Sequence, residues 1–248
     1  MHSSIRIIIL TLLGLIPMTA MQAQGTAPIA KAEKSAATAN SKRPDVYHVF
    51  VVKAALGKAK ELADFLKEPD PNHPDRKGIL LRHQDGDDWD YIAIDHEGAK
   101  ATVESAGTPI PPSKRALMEW HNDSYVSGPA WADFAKAMGI DGDAAKTTGA
   151  VYVVADYRAA PGHRENLDKM LTETPAAGTD TSSGNVLLQH LEGAAWNFLG
   201  VVRYDSWEKF AENEKASVSQ TNKGAGGWAT LREHVASHHD TLTDRILP

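Results

Sequence analysis

The chain contains no cysteine among its 248 residues. This absence excludes disulfide bonds, thiolate metal sites, a cysteine nucleophile and a lipid-attachment thiol. The sequence also lacks the Gly-x-Ser-x-Gly motif of serine hydrolases and the His-Glu-x-x-His motif of zinc proteases. The fold must therefore be stabilised by packing, and catalytic residues are not identified by any of these motifs.

An excess of positive charge is also missing. The chain carries 32 acidic and 26 basic residues, for a formal net charge of −6, and has no long run of either sign. A surface that binds a phosphate backbone needs clustered Lys and Arg. Nucleic acid is therefore not an expected partner.

Long hydrophobic runs are confined to the N-terminus. Arg6 precedes an apolar stretch over residues 7–16, and small residues follow through Ala23. This order is typical of a secretory signal peptide, and the stretch is shorter than the roughly 20 residues of a membrane span. We expect a signal peptide over residues 1–23, a periplasmic or secreted protein without a membrane span in its mature form, and a flexible linker over residues 24–44, which are rich in Ala, Lys, Ser and Thr.

Two stretches of the chain recur. Residues 46–66 return at 151–171, 105 positions later, and residues 80–89 return at 187–196, 107 positions later. A fixed period is the signature of a duplicated supersecondary unit. The two additional residues are expected in a loop, where insertions cost little.

Hydrophobic spacing predicts the order strand, helix, strand, turn, strand, helix in each copy. Leu62 and Leu66 lie on one face of an amphipathic helix. Residues 47–52 are apolar at both parities, which favours a strand covered on both faces. Gly86 and Gly193 indicate the hairpin turns between the second and third strands.

This order, present twice, resembles the ferredoxin-like units of the dimeric α/β-barrel superfamily. The resemblance implies an α+β fold in which units at residues 45–139 and 149–248 close their sheets into a pseudo-dimeric barrel with the helices outside. Since one chain holds both halves, we expect a monomer or a weak dimer. Members of that superfamily include cofactor-poor monooxygenases, haem-handling enzymes, and proteins with only a binding or stress-response role.

The repeat contains a His and a Trp around each turn. If each hairpin is centred on its glycine, His83 lies opposite Trp89 and His190 lies opposite Trp196. One interpretation is a histidine held in a ligand pocket or poised for proton transfer. The favoured alternative is a cross-strand pair that stabilises the hairpin.

A C-terminal helix is expected from a stripe formed by Trp228, Leu231, Val235 and Leu242. His238 falls near the centre of this stripe, one turn after His234. The pair could face one metal, or His238 could be an axial haem ligand. The favoured alternative is a buried histidine with a hydrogen-bond partner. A short alignment at an offset of 113 places Tyr125 in the first copy where His238 stands in the second.

These observations favour an exported small-molecule binding or stress-associated α/β-barrel protein of undetermined ligand. The alternative is a cofactor-poor monooxygenase or a haem-dependent enzyme, so haem stays open as a cofactor and enzymatic activity is left undecided. No metal site is expected, and the acidic turn around Asp87 is interpreted as solvated because its spacing does not match a calcium loop. The candidate ligand-binding residues are His238, His234, His190, Trp196, His83, Trp89 and Tyr125.

Overall fold

The computed structural model describes residues 43–70, 75–100, 110–143, 148–173, 180–224 and 227–248, which form an α+β fold of eight antiparallel strands and six helices. The elements up to residue 143 are β1 (Asp45–Ala54), α1 (Ala59–Leu66), β2 (Lys77–Asp85), β3 (Tyr91–Ala99), α2 (Pro112–Arg115), β4 (Met118–Gly128) and α3 (Trp131–Ala137). The elements that follow are β5 (Val151–Ala159), α4 (Arg164–Thr172), β6 (Gly184–Glu192), β7 (Phe198–Tyr204), α5 (Trp207–Asn222), α6 (Gly227–His234) and β8 (Val235–Leu247).

The eight strands form a closed barrel in the order β1-β3-β2-β8-β5-β7-β6-β4. All pairings are antiparallel, and β4 pairs back with β1. The first four strands meet the last four at two seams, β2 with β8 and β4 with β6. Closure leaves no strand with an unpaired edge, which removes a route to aggregation.

The predicted C-terminal helix is wrong beyond residue 234. Helix α6 ends at His234, and Val235 begins the 13-residue strand β8. Two β-branched residues of this strand, Thr241 and Thr243, are buried, and β8 pairs with β2 on one side and β5 on the other. β-branched residues fit a pleated surface, and pairing on both sides overrides a stripe that happens to match helical spacing. Strand β4 (Met118–Gly128) was missed as well, because the sequence analysis aligned Tyr125 with a residue of the expected C-terminal helix.

Side chains that point into the barrel form the largest core. They come from strands β1 to β7 and include alternate positions, as in Tyr47 and Val49 of β1 and Tyr152 and Val154 of β5. Two smaller cores lie on the outer face, one between α1 and the first four strands around Leu62, the other between α4 and the last four strands around Leu167. The sheet is thus covered on both faces, as the apolar strands predict.

Helix α3 closes one end of the barrel. Phe134 and Met138 are fully buried in the inner core, and the Phe134 ring stacks on Tyr47 with centroids 4.9 Å apart. The Tyr152 hydroxyl donates a hydrogen bond to the Met138 carbonyl oxygen at 2.9 Å. These contacts fill the end where β1 and β5 begin, so a site inside the barrel is reached from the opposite end.

Arg43, near the end of the predicted linker, packs against the barrel. Arg43 is 5% exposed, and its guanidinium donates to the Asp168 carboxylate at 2.6 Å, the Leu187 carbonyl oxygen at 3.2 Å and the Gln189 side-chain oxygen at 3.2 Å. A buried, paired arginine fixes the chain before β1, because three fixed partners leave it little freedom. The predicted signal peptide and the rest of the linker lie outside the described residues. Among the helices that are described, none has the length and apolar character needed to cross a membrane.

Candidate functional site

Polar side chains that point into the barrel lie at its open end. Both hairpins, residues 86–90 and 193–197, lie there with the starts of β4 and β8 and the ends of β1 and β5. Side chains of this end that join or contact the inner core include three tryptophans, Trp89, Trp120 and Trp196. Barrel mouths lined by aromatic rings and a few polar groups are common ligand sites.

Both His–Trp pairs lie at this end of the barrel, but the predicted register of each hairpin is wrong by one residue. His83 pairs through its backbone with Asp90, and His190 pairs with Asn197. Gly86 has a φ of +124°, and the hairpin it begins is irregular, so that Trp89 precedes β3 instead of pairing within it. The rings still touch, with centroids 5.9 Å apart for the first pair and 5.4 Å for the second.

The two histidines differ in their partners. His83 follows Ile79 and Leu81 along the inner face of β2, yet its Nε2 is buried and has no hydrogen-bond partner among the residues that the structure describes. The corresponding atom of His190 accepts a hydrogen bond from the Ala194 backbone N–H at 3.0 Å. The equivalent N–H in the first hairpin, that of Asp87, instead donates to the Thr241 hydroxyl at 3.3 Å.

Charged side chains surround the same opening. Asp156 continues the inner-facing series of β5 and lies opposite His239 on β8, with 3.3 Å between a carboxylate oxygen and Nδ1. Lys53 of β1 reaches Asp88 in the first hairpin at 3.3 Å. The site therefore has an aromatic and imidazole floor with a charged rim.

His238 and His234 do not share a helical face. His238 lies opposite Tyr157 on the outer face of β8, its ring stacked 6.1 Å from that tyrosine and one-fifth exposed. Its Nδ1 is buried and has no partner within the described part of the chain, and its Nε2 is 3.8 Å from the Asp240 carboxylate. His234 instead contacts His163, with 2.9 Å between their Nδ1 atoms. The less favoured interpretation, in which His234 and His238 face one metal, therefore does not hold.

Tyr125 is not the counterpart of His238. Val52 of β1 lies opposite His121, and Tyr157, which is 105 residues after Val52, lies opposite His238. The true offset between β4 and β8 is 117, which aligns residues 121–124, His-Asn-Asp-Ser, with residues 238–241, His-His-Asp-Thr. This shared pattern is the signal that sequence reasoning missed.

The outer face of β1 and β4 holds a hydrogen-bonded chain. Asp123 accepts from His48 Nε2 at 2.9 Å and from His121 Nδ1 at 2.8 Å. Arg76 and Arg115 lie 3.4 and 3.2 Å from the remaining ring nitrogens. Hydrogen bonds from the two imidazoles, His48 first, hold the pKa of the Asp123 carboxyl below its usual value. Since each nitrogen has a partner, this chain suits a structural role.

A groove of about 530 Å³ lies on the outer face at the seam of β2 and β8. Arg82 and Asp244 line it and bind each other through two hydrogen bonds, at 3.0 and 2.8 Å. Neither unpaired histidine lines this groove. Its polar groups satisfy one another, so it ranks below the barrel opening as a binding site.

No protein-family model and no curated protein matches the sequence. One solved structure is similar in fold, the crystal structure of a "putative monooxygenase from Lactobacillus acidophilus NCFM", with a TM-score of 0.44 and 7% sequence identity. The superposition covers 82% of this chain and 94% of that one. A likeness at this level carries no conclusion about site or activity.

Proposed function

We propose that the protein binds a small molecule in the open end of its barrel, where the ligand completes the hydrogen bonding of His83. The supporting observation is the buried, unpaired Nε2 of that histidine. A buried polar group without a partner costs about 1–3 kcal/mol. A ligand that supplies the missing bond recovers this free energy on binding.

The lining indicates the class of ligand. Trp196, which is only partly buried, offers a flat apolar surface beside His190, whereas Trp89 is buried against His83. Aromatic rings stack well on such surfaces, and a hydroxyl group can donate to or accept from an imidazole nitrogen. A planar, hydroxyl-bearing molecule such as a phenol therefore fits the opening best.

The proposal also includes the tandem architecture of the barrel and the export of the protein. Strand order 4-1-3-2 within each set of four strands supports two tandem ferredoxin-like units in a pseudo-dimeric α/β barrel, as do the starts of α1 and α4, offset by 105 residues, and those of β2 and β6, offset by 107. Export to the periplasm or medium is proposed from the N-terminal sequence alone.

The enzymatic alternative rests on His238. An imidazole with a carboxylate near one nitrogen and no partner on the other resembles a general base before its substrate arrives, as in a cofactor-poor monooxygenase. Haem held by His238 is the other form of this alternative. Titration with haemin tests it, because a Soret band that appears in the wild type and is lost in His238→Leu would support haem binding.

Titration of the full chain with 4-nitrophenol tests the proposal, read as quenching of tryptophan fluorescence. We expect saturable quenching in the wild type and its loss in His83→Leu. His238→Leu serves as the matched control, since it removes the other unpaired imidazole from the outer face. Quenching that survives His83→Leu, or that needs His238, would reject the opening as the site.

A further inference from the structure

Three potential metal ligands converge at the rim of the barrel opening. Asp87 comes from the first hairpin, Asp156 from β5 and His239 from β8, and their ligand atoms all lie within 4.8 Å of one another. The Asp156 side chain is 23% exposed and that of His239 is 55% exposed, so the cluster is open to solutes from the mouth. No local motif predicts it, because the ligands are far apart in sequence.

The corresponding positions near the other hairpin carry none of these ligands. The offsets of 105, 107 and 117 place Val51 at the position of Asp156, Ala194 at that of Asp87 and Asn122 at that of His239. Val51 lies opposite Asn122, just as Asp156 lies opposite His239. The fold therefore does not require the three polar residues, and they occur together on one side only.

The cluster consists of two carboxylates and one imidazole and contains no lysine or arginine. The ligand oxygens of Asp87 and Asp156 lie within 4.8 Å of each other, and the Asp156 carboxylate is 3.3 Å from His239 Nδ1. Two carboxylates this close repel each other unless a cation lies between them. A bound divalent ion would offset both charges.

We propose that Asp87, Asp156 and His239 form a binding site for a first-row divalent transition metal such as Zn²⁺. Two carboxylate oxygens and one imidazole nitrogen are a ligand set that such ions favour, whereas Ca²⁺ and Mg²⁺ favour oxygen alone. Three protein ligands leave at least one coordination position for water or another ligand. The site departs from the solvated turn expected for Asp87 and does not depend on His83.

Isothermal titration of the full chain with ZnCl₂ tests this site. We expect one Zn²⁺ per chain, with Ca²⁺ binding far more weakly. The variants His239→Asn, Asp156→Val and Asp87→Ala each install the residue found at the corresponding position of the other side. Loss of an outer-shell partner weakens metal affinity about 10–100-fold, so loss of a ligand should weaken it by about 100-fold or more.

His163→Gln is the control, because it removes an imidazole from the contact between His163 and His234, a second place where Zn²⁺ could bind. This variant should bind Zn²⁺ as the wild type does. The proposal is overturned if the wild type binds no Zn²⁺, or if affinity drops in His163→Gln and not in the three cluster variants. Asp87→Ala, in a solvent-facing hairpin, keeps the test valid if Asp156→Val does not fold. Because 4-nitrophenol reports on His83 separately, either proposal can fail alone.

Discussion

His190 accepts a hydrogen bond from the backbone N–H of Ala194, with 3.0 Å between the two nitrogen atoms. The bond ties the imidazole to its own hairpin and requires an unprotonated nitrogen. Desolvation, with a smaller contribution from the charge of Arg164, lowers the pKa of His190 from its ordinary value of 6.5. The neutral ring is therefore part of the folded structure.

This pairing predicts how stability depends on pH. Because the folded-state pKa of His190 is lowered, its contribution is complete above pH 6.5 and is lost as the pH falls below that value, where the unfolded chain binds more protons. His190→Gln should lower the free energy of unfolding by about 1 kcal/mol at pH 8 and flatten its decline between pH 6.5 and 5. Urea unfolding at several pH values checks both effects, and an unchanged decline would disagree with the assignment.

Arg43 should be a large contributor to stability for a residue outside the barrel strands. Its guanidinium is buried against Asp168, so Arg43→Met leaves that carboxylate without its cation. We expect a loss of about 1–3 kcal/mol in the free energy of unfolding. Lys60→Met, which breaks the exposed pair with Asp64, should leave it almost unchanged, because solvent screens an exposed pair. Equal effects of the two variants would show that Arg43 is not held as described.

The second hairpin packs tightly against β4. A Cβ at Gly193 would collide with the Asp123 carbonyl oxygen, whereas a Cβ at Gly57 would meet no atom within 4 Å. Both glycines have positive φ, so both alanine variants incur backbone strain of about 1–2 kcal/mol. Gly193→Ala should cost about 1–3 kcal/mol more than Gly57→Ala, because the hairpin must shift at the β4–β6 seam. Matched urea unfolding curves would argue against this contact.

Much of the fold follows from hydrophobic spacing, and the remainder depends on tertiary contacts. Residues 46–52 and 151–157 are strands, as their apolar character predicts. The spacing of apolar side chains over residues 235–247 is compatible with a helix. These residues form a strand because they pair with β2 on one side and β5 on the other. A helical interpretation there placed His238 inward, although it lies on the outer face.

Some contacts within the candidate site were predicted from the sequence, whereas its ligand-binding role stays a prediction. The repeated His and Trp residues do contact each other at the barrel opening, despite the one-residue error in register. The two histidines have similar neighbours in sequence, so their different hydrogen bonding could not be predicted. It depends on the acceptor of the hairpin N–H, which is His190 in the second hairpin and Thr241 in the first. The grouping of Asp87 with His239 likewise needs the closed barrel, which brings the first hairpin onto β8.

The most direct test of the binding proposal is a long-range ¹H–¹⁵N spectrum of the eleven histidine side chains of the full chain, recorded with and without saturating 4-nitrophenol. The His83 signals are assigned with His83→Leu and the His190 signals with His190→Gln. We predict that the phenol shifts the Nε2 resonance of His83, because this nitrogen gains a hydrogen bond. The Nε2 resonance of His190 should not shift, because that nitrogen already accepts a hydrogen bond from the Ala194 N–H. An unchanged His83 resonance at saturation would contradict the proposed site.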